Sequence, residues 1–348
     1  MNTSFISTHS LSTTLRSTVM KGQISLAEAT TEATTGRHAD VGETLGALTG
    51  RDFSLRSDYE RVSNLIDTNE IVSGRLDATQ QSITNTVDVA NTFMQQLFAA
   101  RNADGGANVL APSAQTDMAS LVDSLNATLN GQYLFGGINI DTAPMSSYTA
   151  GSTSQTAIDN AFVAFFGFPQ SNAASVGAIS ATQMQTFLDT TFDAEFQNPA
   201  WTTNWSTASS QNTTSRISTT QTVVTSANAN ETGFRKLAAA YTMILSLGGN
   251  ALGQAAFQTV VDNAVAKISS AVYDLALTGG QLGTSQQQIK DASERMAIQK
   301  DLYSSQINKL EAVDPTEASV RVNSLQSQIE MSLSLTGQLH KLSLVDYL

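Results

Sequence analysis

Residues that could perform chemistry are few and widely spaced. The three histidines, His9, His38 and His340, lie far apart and lack the paired spacing that a metal site uses. The chain has no cysteine, which excludes disulfides, thiolate metal ligands and a cysteine nucleophile. No histidine accompanies a serine motif of the GxSxG type. We therefore predict that the protein is not an enzyme and uses neither cofactor nor metal.

Two glycine-rich stretches invite comparison with ion and phosphate sites. Asp40, Asp52 and Asp58 lie near a loop with four glycines between residues 36 and 50. Carboxylates there could bind calcium or act as acid and base, but charges in such a loop are usually just solvated, and we favour solvation. The second stretch, Gly136-Gly137, lacks the Lys-Ser/Thr ending of a phosphate loop. It predicts a tight hairpin near residues 133–142 instead.

Aromatic residues concentrate between residues 145 and 230, which contain both tryptophans and half of the phenylalanines. Trp201 and Trp205 could form part of a sugar-binding platform, but such a cluster is more often a small hydrophobic core. Short helices are predicted at 154–166 and 180–196. The β-branched stretch 215–225 predicts a strand. The region is therefore predicted to be a small mixed α/β domain.

The elements around this region carry a strong periodic pattern. From Leu55, alternating steps of four and three meet apolar residues up to Leu97, except at Asn69, Ser73 and Gln80. The same stepping recurs from Leu282 to Leu310, less regularly. A period of 3.5 residues predicts coiled-coil helices. Because the two stretches lie far apart in sequence, we predict that they pair side by side, with the aromatic region inserted between them. Two separate helical domains joined by a linker are the alternative.

Breaks in the pattern predict where helices begin and end. Pro112 is expected to restart a helix after the first long one. Gly279-Gly280 should end the helix that precedes the second periodic stretch. Asp314-Pro315 is typical of a helix start, with aspartate as the N-cap and proline in the first turn.

Both terminal segments are amphipathic but poor in apolar residues. A helix of this kind persists only when it is packed against a partner. We therefore predict that its apolar stripe is an assembly interface. The predicted interface residues are Leu11, Leu15, Val19, Val322, Leu325, Ile329, Leu339 and Leu342.

Composition excludes several classes of partner. The chain has 18 basic and 30 acidic residues, a net charge of −12, which disfavours nucleic acid and anionic membrane surfaces. No apolar run approaches the length of a membrane helix, so no membrane insertion is expected. The first residues lack the basic region and apolar run of a cleaved secretory signal. We expect a cytoplasmic protein, or one that leaves the cell by a route that reads no such signal.

Both ends of the sequence resemble bacterial flagellins, over about residues 1–142 and 232–348. The segments that carry the resemblance are 5–22, 35–42, 66–69, 131–142 and 234–237. The stretch 131–144, GQYLFGGINIDTAP, is similar to a segment of the hook-associated members found where hook and filament meet. The final residues lack the Leu-Leu-Arg ending common in filament flagellins.

The resemblance implies a mainly α fold of long paired coiled-coil rods with a small mixed insert. Residues 1–40 with 314–348 would form an inner tube domain. Residues 41–144 with 232–313 would form a helical rod domain, and residues 145–231 an outer insert.

The resemblance also implies a function and partners. The chain would be a structural adaptor that joins hook to filament. It would self-associate in a ring and contact the first hook-associated protein and flagellin. An export chaperone would bind its C-terminal region, and the chain would be exported through the flagellar type III apparatus without a cleaved signal. A filament flagellin, and an unrelated secreted adhesin or sugar-acting protein, remain as alternatives.

Overall fold

The computed structural model describes residues 8–103, 105–249 and 251–345, and it divides into two compact units. The smaller unit contains the residues up to 64 and those from 295 onward. The larger unit contains residues 65–294. Helices dominate both units, which confirms the predicted mainly α fold.

The smaller unit is built from helices at the two ends of the chain. Its elements are α1 (Thr8–Thr35), α2 (Val41–Leu45), a 3-10 turn (Gly46–Leu48), the first part of α3 (Thr49–Ala100), the last part of α10 (Gln254–Glu311), and α11 (Pro315–Val345). The predicted start of α11 is confirmed, because Asp314 accepts a hydrogen bond from the Thr316 amide at 2.7 Å. Helix α1 packs lengthwise on α11.

The larger unit adds all remaining elements. The helices are α4 (Gly106–Leu125), α5 (Thr153–Phe166), α6 (Ala173–Gly177), α7 (Ala181–Phe187), α8 (Ala200–Asn204) and α9 (Thr232–Thr242). The strands are β1 (Thr128–Leu129), β2 (Gln132–Tyr133), β3 (Thr214–Arg216) and β4 (Thr222–Val224). They form two antiparallel hairpins, β1–β2 and β3–β4. π-Helical turns follow α7 at Leu188–Phe192 and α9 at Met243–Leu247.

The predicted seam of α3 is confirmed and has a seven-residue rhythm. Every seventh residue from Leu55 is buried, and the seam position between each two of these is half-buried. The buried positions are Leu55, Val62, Asn69, Leu76, Ile83, Ala90 and Leu97. On α10, Leu282, Ile289 and Met296 are buried with the same spacing. One stripe of each helix is therefore covered along its length.

Helices α3 and α10 pair in opposite directions, as the paired prediction requires. In the larger unit, Gln80 donates to Gln286 at 2.7 Å, and Arg101 bonds Asp262. In the smaller unit, Arg56 bonds Glu311. These contacts join positions that are 161 to 255 residues apart in sequence. The alternative of two separate helical domains is therefore wrong.

Two predicted helix boundaries are wrong. Helix α10 runs through Gly279-Gly280 without a break. A helical glycine costs about 1 kcal/mol relative to alanine, but Leu275 and Leu282 are buried seven residues apart on either side, so packing of the stripe outweighs that cost. Helix α4 begins at Gly106 rather than Pro112, and its buried stripe already includes Leu110.

The first hairpin lies earlier than predicted. Its strands pair around Asn130-Gly131, which have positive φ angles of 52° and 79°. Asn-Gly is the preferred dipeptide of a two-residue hairpin turn for this reason. The predicted stretch 133–142 forms the following loop, closed by a hydrogen bond from the Tyr133 amide to the Ile140 carbonyl at 2.9 Å.

Candidate assembly surfaces

The helix pair α1–α11 carries the described part of the predicted interface. Leu15 and Val19 of α1 are half-buried, as are the predicted residues of α11 that the structure describes, namely Val322, Leu325 and Ile329. A Cβ atom on Gly22 would lie 3.2 Å from Cγ1 of Ile329, so the two helices approach closely there. The side chains of Leu11, Leu339 and Leu342 lie outside the described residues. All eight predicted residues thus lie on two helices that pack together, five of them with described side chains, and their role in assembly stays a prediction.

A second set of apolar residues on the same two helices faces solvent. Met20 and Met331 are each 59% exposed, although both are large apolar side chains. The other members of the set are Ile24, Val320, Leu333 and Leu335. Exposed apolar residues in such numbers on one helix pair are typical of a surface that binds another protein.

Several threonine hydroxyls of α1 form hydrogen bonds within the helix itself. The hydroxyls of Thr14, Thr18 and Thr30 each donate to the backbone carbonyl four residues earlier, at 2.7 to 2.9 Å. Such bonds satisfy the hydroxyl within the helix itself. The helix can therefore be covered by a neighbour without leaving these polar groups unpaired.

A group of charged residues, which we call the charged clasp, joins the ends of these helices to α3 and α10 within the smaller unit. It consists of Glu32, Arg37, Arg56, Glu311 and Arg321. The Glu311 side chain is fully buried, and Nε of Arg56 donates to it at 2.8 Å. Arg37 lies 3.3 Å away from the same carboxylate. Glu32, which is 8% exposed, accepts a hydrogen bond from Arg321 at 2.8 Å.

The backbone beside the clasp holds the same segments together. The His38 amide donates to the Glu311 carbonyl at 3.0 Å, and the Val313 amide donates to the Gly36 carbonyl at 2.9 Å. Gly36 has a φ of 68°, a conformation that glycine adopts without strain. Hydrogen bonding to Glu311 also raises the pKa of Arg56. The clasp was not predicted from the sequence, because its partners are hundreds of residues apart and show no spacing signal.

The three aspartates of the first glycine-rich loop each have a separate local partner. Asp40 accepts a hydrogen bond from the Glu43 amide and caps α2, while Asp52 and Asp58 bond Arg56 and Arg61. Across the described residues, no group of three or more histidine or acidic side chains is arranged to hold a metal ion. Each of these carboxylates therefore makes a local structural contact, where the sequence analysis favoured simple solvation.

The aromatic cluster of the insert is a core and not a sugar platform. Trp201 and Trp205 are 0% and 1% exposed, and their rings stack at 5.7 Å. Tyr148 also stacks on Trp205, with ring centroids 5.4 Å apart. The indole N–H of Trp201 donates to Asn230 at 2.8 Å. A sugar needs an exposed ring face to stack on, and neither indole offers one.

The stretch 131–144 is held tightly in the larger unit. Phe135 is buried and meets Phe234 edge-on, with ring centroids 5.3 Å apart. A Cβ atom on Gly137 would lie 2.4 Å from the Ser209 carbonyl oxygen, so only glycine fits. The Ile138 amide donates to the Gln211 carbonyl at 3.0 Å. This stretch therefore contacts both helix α9, which contains Phe234, and the segment around residue 210.

Two family models match the sequence of this chain. The bacterial flagellin N-terminal helical region matches residues 6–140, and the flagellin C-terminal helical region matches residues 265–348. Together the two matches cover more than half of the chain, and they include all of α3 and most of α10. The chain belongs to the flagellin family. As a family member it is a structural, self-assembling protein of the extracellular bacterial flagellum.

The other comparisons do not narrow the role of this chain within the flagellum. No curated protein matches the sequence. A solved structure of a proposed flagellar hook-associated protein from Vibrio parahaemolyticus is similar at 13% identity, covering 76% of this chain and 95% of that chain. Its TM-score is 0.41, too low to bear on where in the flagellum this flagellin-family chain lies. Within the described residues, no helix combines the length and apolar character needed to cross a membrane.

Proposed function

We propose that this flagellin-family protein is the adaptor that joins the hook to the filament. The observation that carries the proposal is the stretch 131–144, whose sequence resembles hook-associated members of the family. Its tight packing supports a dedicated structural role, because Phe135 and Gly137 both occupy sites that tolerate little change. On this proposal the chain contacts the first hook-associated protein on one side and flagellin on the other.

The adaptor self-associates in a ring through its terminal helix pair. Exposed apolar residues on α1 and α11, such as Met20 and Met331, would be covered by neighbouring copies. Covering a large apolar side chain contributes about 1.5–3 kcal/mol, so several such contacts per copy are needed to offset the freedom lost on association. In the three-part division we propose, residues 1–40 with 314–348 line the tube, residues 41–144 with 232–313 form the rod, and residues 145–231 project outward.

Before assembly, the same surfaces need protection. We propose that the chain is exported through the flagellar type III apparatus, and that a chaperone binds its C-terminal region beforehand. Helix α11 supports this, because Leu333 and Leu335 are more than half exposed in the single chain. A chaperone that covered them would prevent early self-association.

Immunogold labelling of flagella from the source cells tests the proposed position. We expect a single site of label where hook meets filament. Label along the whole filament would contradict the adaptor and favour a filament flagellin. Absence of label from every part of the flagellum would overturn both.

A filament flagellin is the second candidate, because the matched family regions are those of flagellins. Purified full-length chain distinguishes the two. The adaptor is expected to form short rings or remain small, whereas a filament flagellin seeded with filament fragments grows into long filaments. Electron microscopy of the seeded sample shows which product forms.

A further inference from the structure

Apolar contacts alone leave the register of α3 on α10 weakly defined. In the larger unit, the buried apolar positions of α3 recur every seven residues at Leu76, Ile83, Ala90 and Leu97. On α10 the pattern recurs at Leu282 and Ile289. Sliding one helix by seven residues would again place apolar residues opposite apolar residues. Polar residues in the seam break this repeat, because each needs a particular partner.

Asn69 is the most buried of these polar residues, at 1% exposed. Its amide nitrogen donates to Ser293 Oγ on α10 at 3.0 Å, which fixes one helix against the other. The same nitrogen donates to the backbone carbonyl of Ile217 at 3.0 Å. One side chain therefore contacts both the partner helix and the turn of the β3–β4 hairpin.

The hairpin turn has few other anchors on the helix pair. Within the turn, the backbone amide of Ile217 donates to the Gln221 carbonyl at 2.9 Å and closes the turn. The Ile217 side chain is fully buried. The side-chain amide of Gln221 donates to Oε1 of Gln288 on α10 at 3.3 Å. A slide of α10 would break the Asn69–Ser293 bond and carry Gln288 away from Asn69, so the two anchors of the hairpin would no longer lie side by side.

We propose that Asn69 is a positioning residue that couples the register of α3 on α10 to the seating of the β3–β4 hairpin. Only the native register brings the Ser293 hydroxyl and the Ile217 carbonyl within reach of the same amide group. The apolar seam holds the helices together, while Asn69 selects one of several similar registers, supported by the Gln80–Gln286 and Arg101–Asp262 contacts. The insert is then seated at one place along the helix pair. This inference rests on contacts inside the larger unit and does not depend on the proposed position in the flagellum.

Asn69→Leu is the first variant, because leucine continues the apolar repeat. The helix pair should stay folded, since a buried seam position gains an apolar residue. Hydrogen exchange of the peptide spanning residues 214–224 should become roughly three- to tenfold faster, the effect expected from losing one buried hydrogen bond. Gln80→Leu is the matched control, because Gln80 lies in the same seam and bonds Gln286 but not the hairpin. Exchange of the hairpin should be unchanged in the control.

Register is measured separately by the distance between two spin labels. The chain has no cysteine, so Thr92→Cys on α3 and Glu294→Cys on α10, both exposed positions, label it specifically. A slide of seven residues changes the axial offset of the labels by about 10 Å. In the Asn69→Leu background we expect a second distance to appear beside the native one. In the Gln80→Leu background the native distance should dominate.

The two measurements together decide the proposal. A second register together with faster hairpin exchange in Asn69→Leu supports the coupling. A single native distance with normal exchange overturns it, and so does a change in only one of the two quantities. Asn69→Ala, which removes both hydrogen bonds without adding volume, repeats the test if the leucine variant does not fold.

Discussion

The terminal helix pair α1–α11 and the insert of the larger unit use apolar residues in opposite ways. In the insert, Trp201 and Trp205 are buried within a continuous aromatic core. On the terminal pair, the predicted seam residues are only half-buried, and Met20 and Met331 are 59% exposed. A pair of isolated helices has too little interior to bury a full stripe on each. The insert is thus complete within one chain, whereas on our proposal the terminal pair is completed by neighbouring copies.

The largest expected effect comes from placing a charge in the terminal seam. Leu325→Asp or Ile329→Asp leaves the charge partly hydrated in the free chain, because both positions are half-buried there. In an assembly that covers them, the carboxylate loses water without gaining a partner, at a cost of a few kcal/mol. We expect the concentration needed for assembly to rise by at least about 100-fold. Sedimentation of assembled material measures it.

Thr182→Asp is the control for this prediction, because it adds the same charge at an exposed position of the insert. It should assemble like the unaltered chain. Normal assembly of both seam variants would mean that the described stripe is not an interface. The difference in burial between the terminal pair and the insert would then not reflect assembly.

Truncating the core of the insert should have the largest effect on folding. Trp201→Ala removes a fully buried side chain and the partner of Asn230, so the free energy of unfolding should fall by about 3–5 kcal/mol. Urea denaturation followed by Trp205 fluorescence measures it in the free chain. Tyr273→Ala, at a position 66% exposed, should change stability by less than about 0.5 kcal/mol. Equal losses for both variants would contradict the core assignment.

Features with a short repeat were predictable, whereas contacts between distant residues were not. The seven-residue rhythm of α3 follows from local sequence, and the fold of paired rods follows from finding the same period twice. The helix end predicted at Gly279-Gly280 was wrong, because local propensity takes no account of the packing of Leu275 and Leu282. The charged clasp had no local signal at all. Glu32 and Arg321, for example, are 289 residues apart.

Breaking the charged clasp should destabilise the terminal region without affecting the insert. Arg56→Met keeps roughly the aliphatic part of the side chain but leaves buried Glu311 with Arg37 as its one remaining cationic partner among the described residues. Loss of a charged partner from a fully buried pair costs 3–5 kcal/mol, and we expect about 2–3 kcal/mol here because Arg56 is 47% exposed. Limited proteolysis should cut near residues 36–40 and 311–314 sooner, while residues 145–231 stay intact. Arg61→Met, which removes an exposed pair with Asp58, is the control.

The smallest expected effect is a pH dependence that belongs to the larger unit alone. Burial raises the pKa of Asp117 from 3.8 to about 6, and a hydrogen bond with Ser113 lowers it in part. The folded state therefore holds a proton that the unfolded chain releases near pH 4. The contribution to stability is fully present below about pH 4, is lost as pH rises to about 6, and stays lost above that. Asp117→Asn should remove this loss.

Because Asp117 is only half-buried, we expect the loss to be about 1 kcal/mol, well under the value for a fully buried group. Urea denaturation at pH 4 and pH 7.5 measures it, with Asp123→Asn, an exposed position on the same helix, correcting for the change in net charge. Asp117→Asn should stabilise the larger unit only at pH 7.5. An equal gain from Asp123→Asn would trace the effect to the charge of −12. A gain confined to Asp117 would instead trace it to desolvation beside the buried core, an environment that the half-buried seam of the terminal pair does not provide.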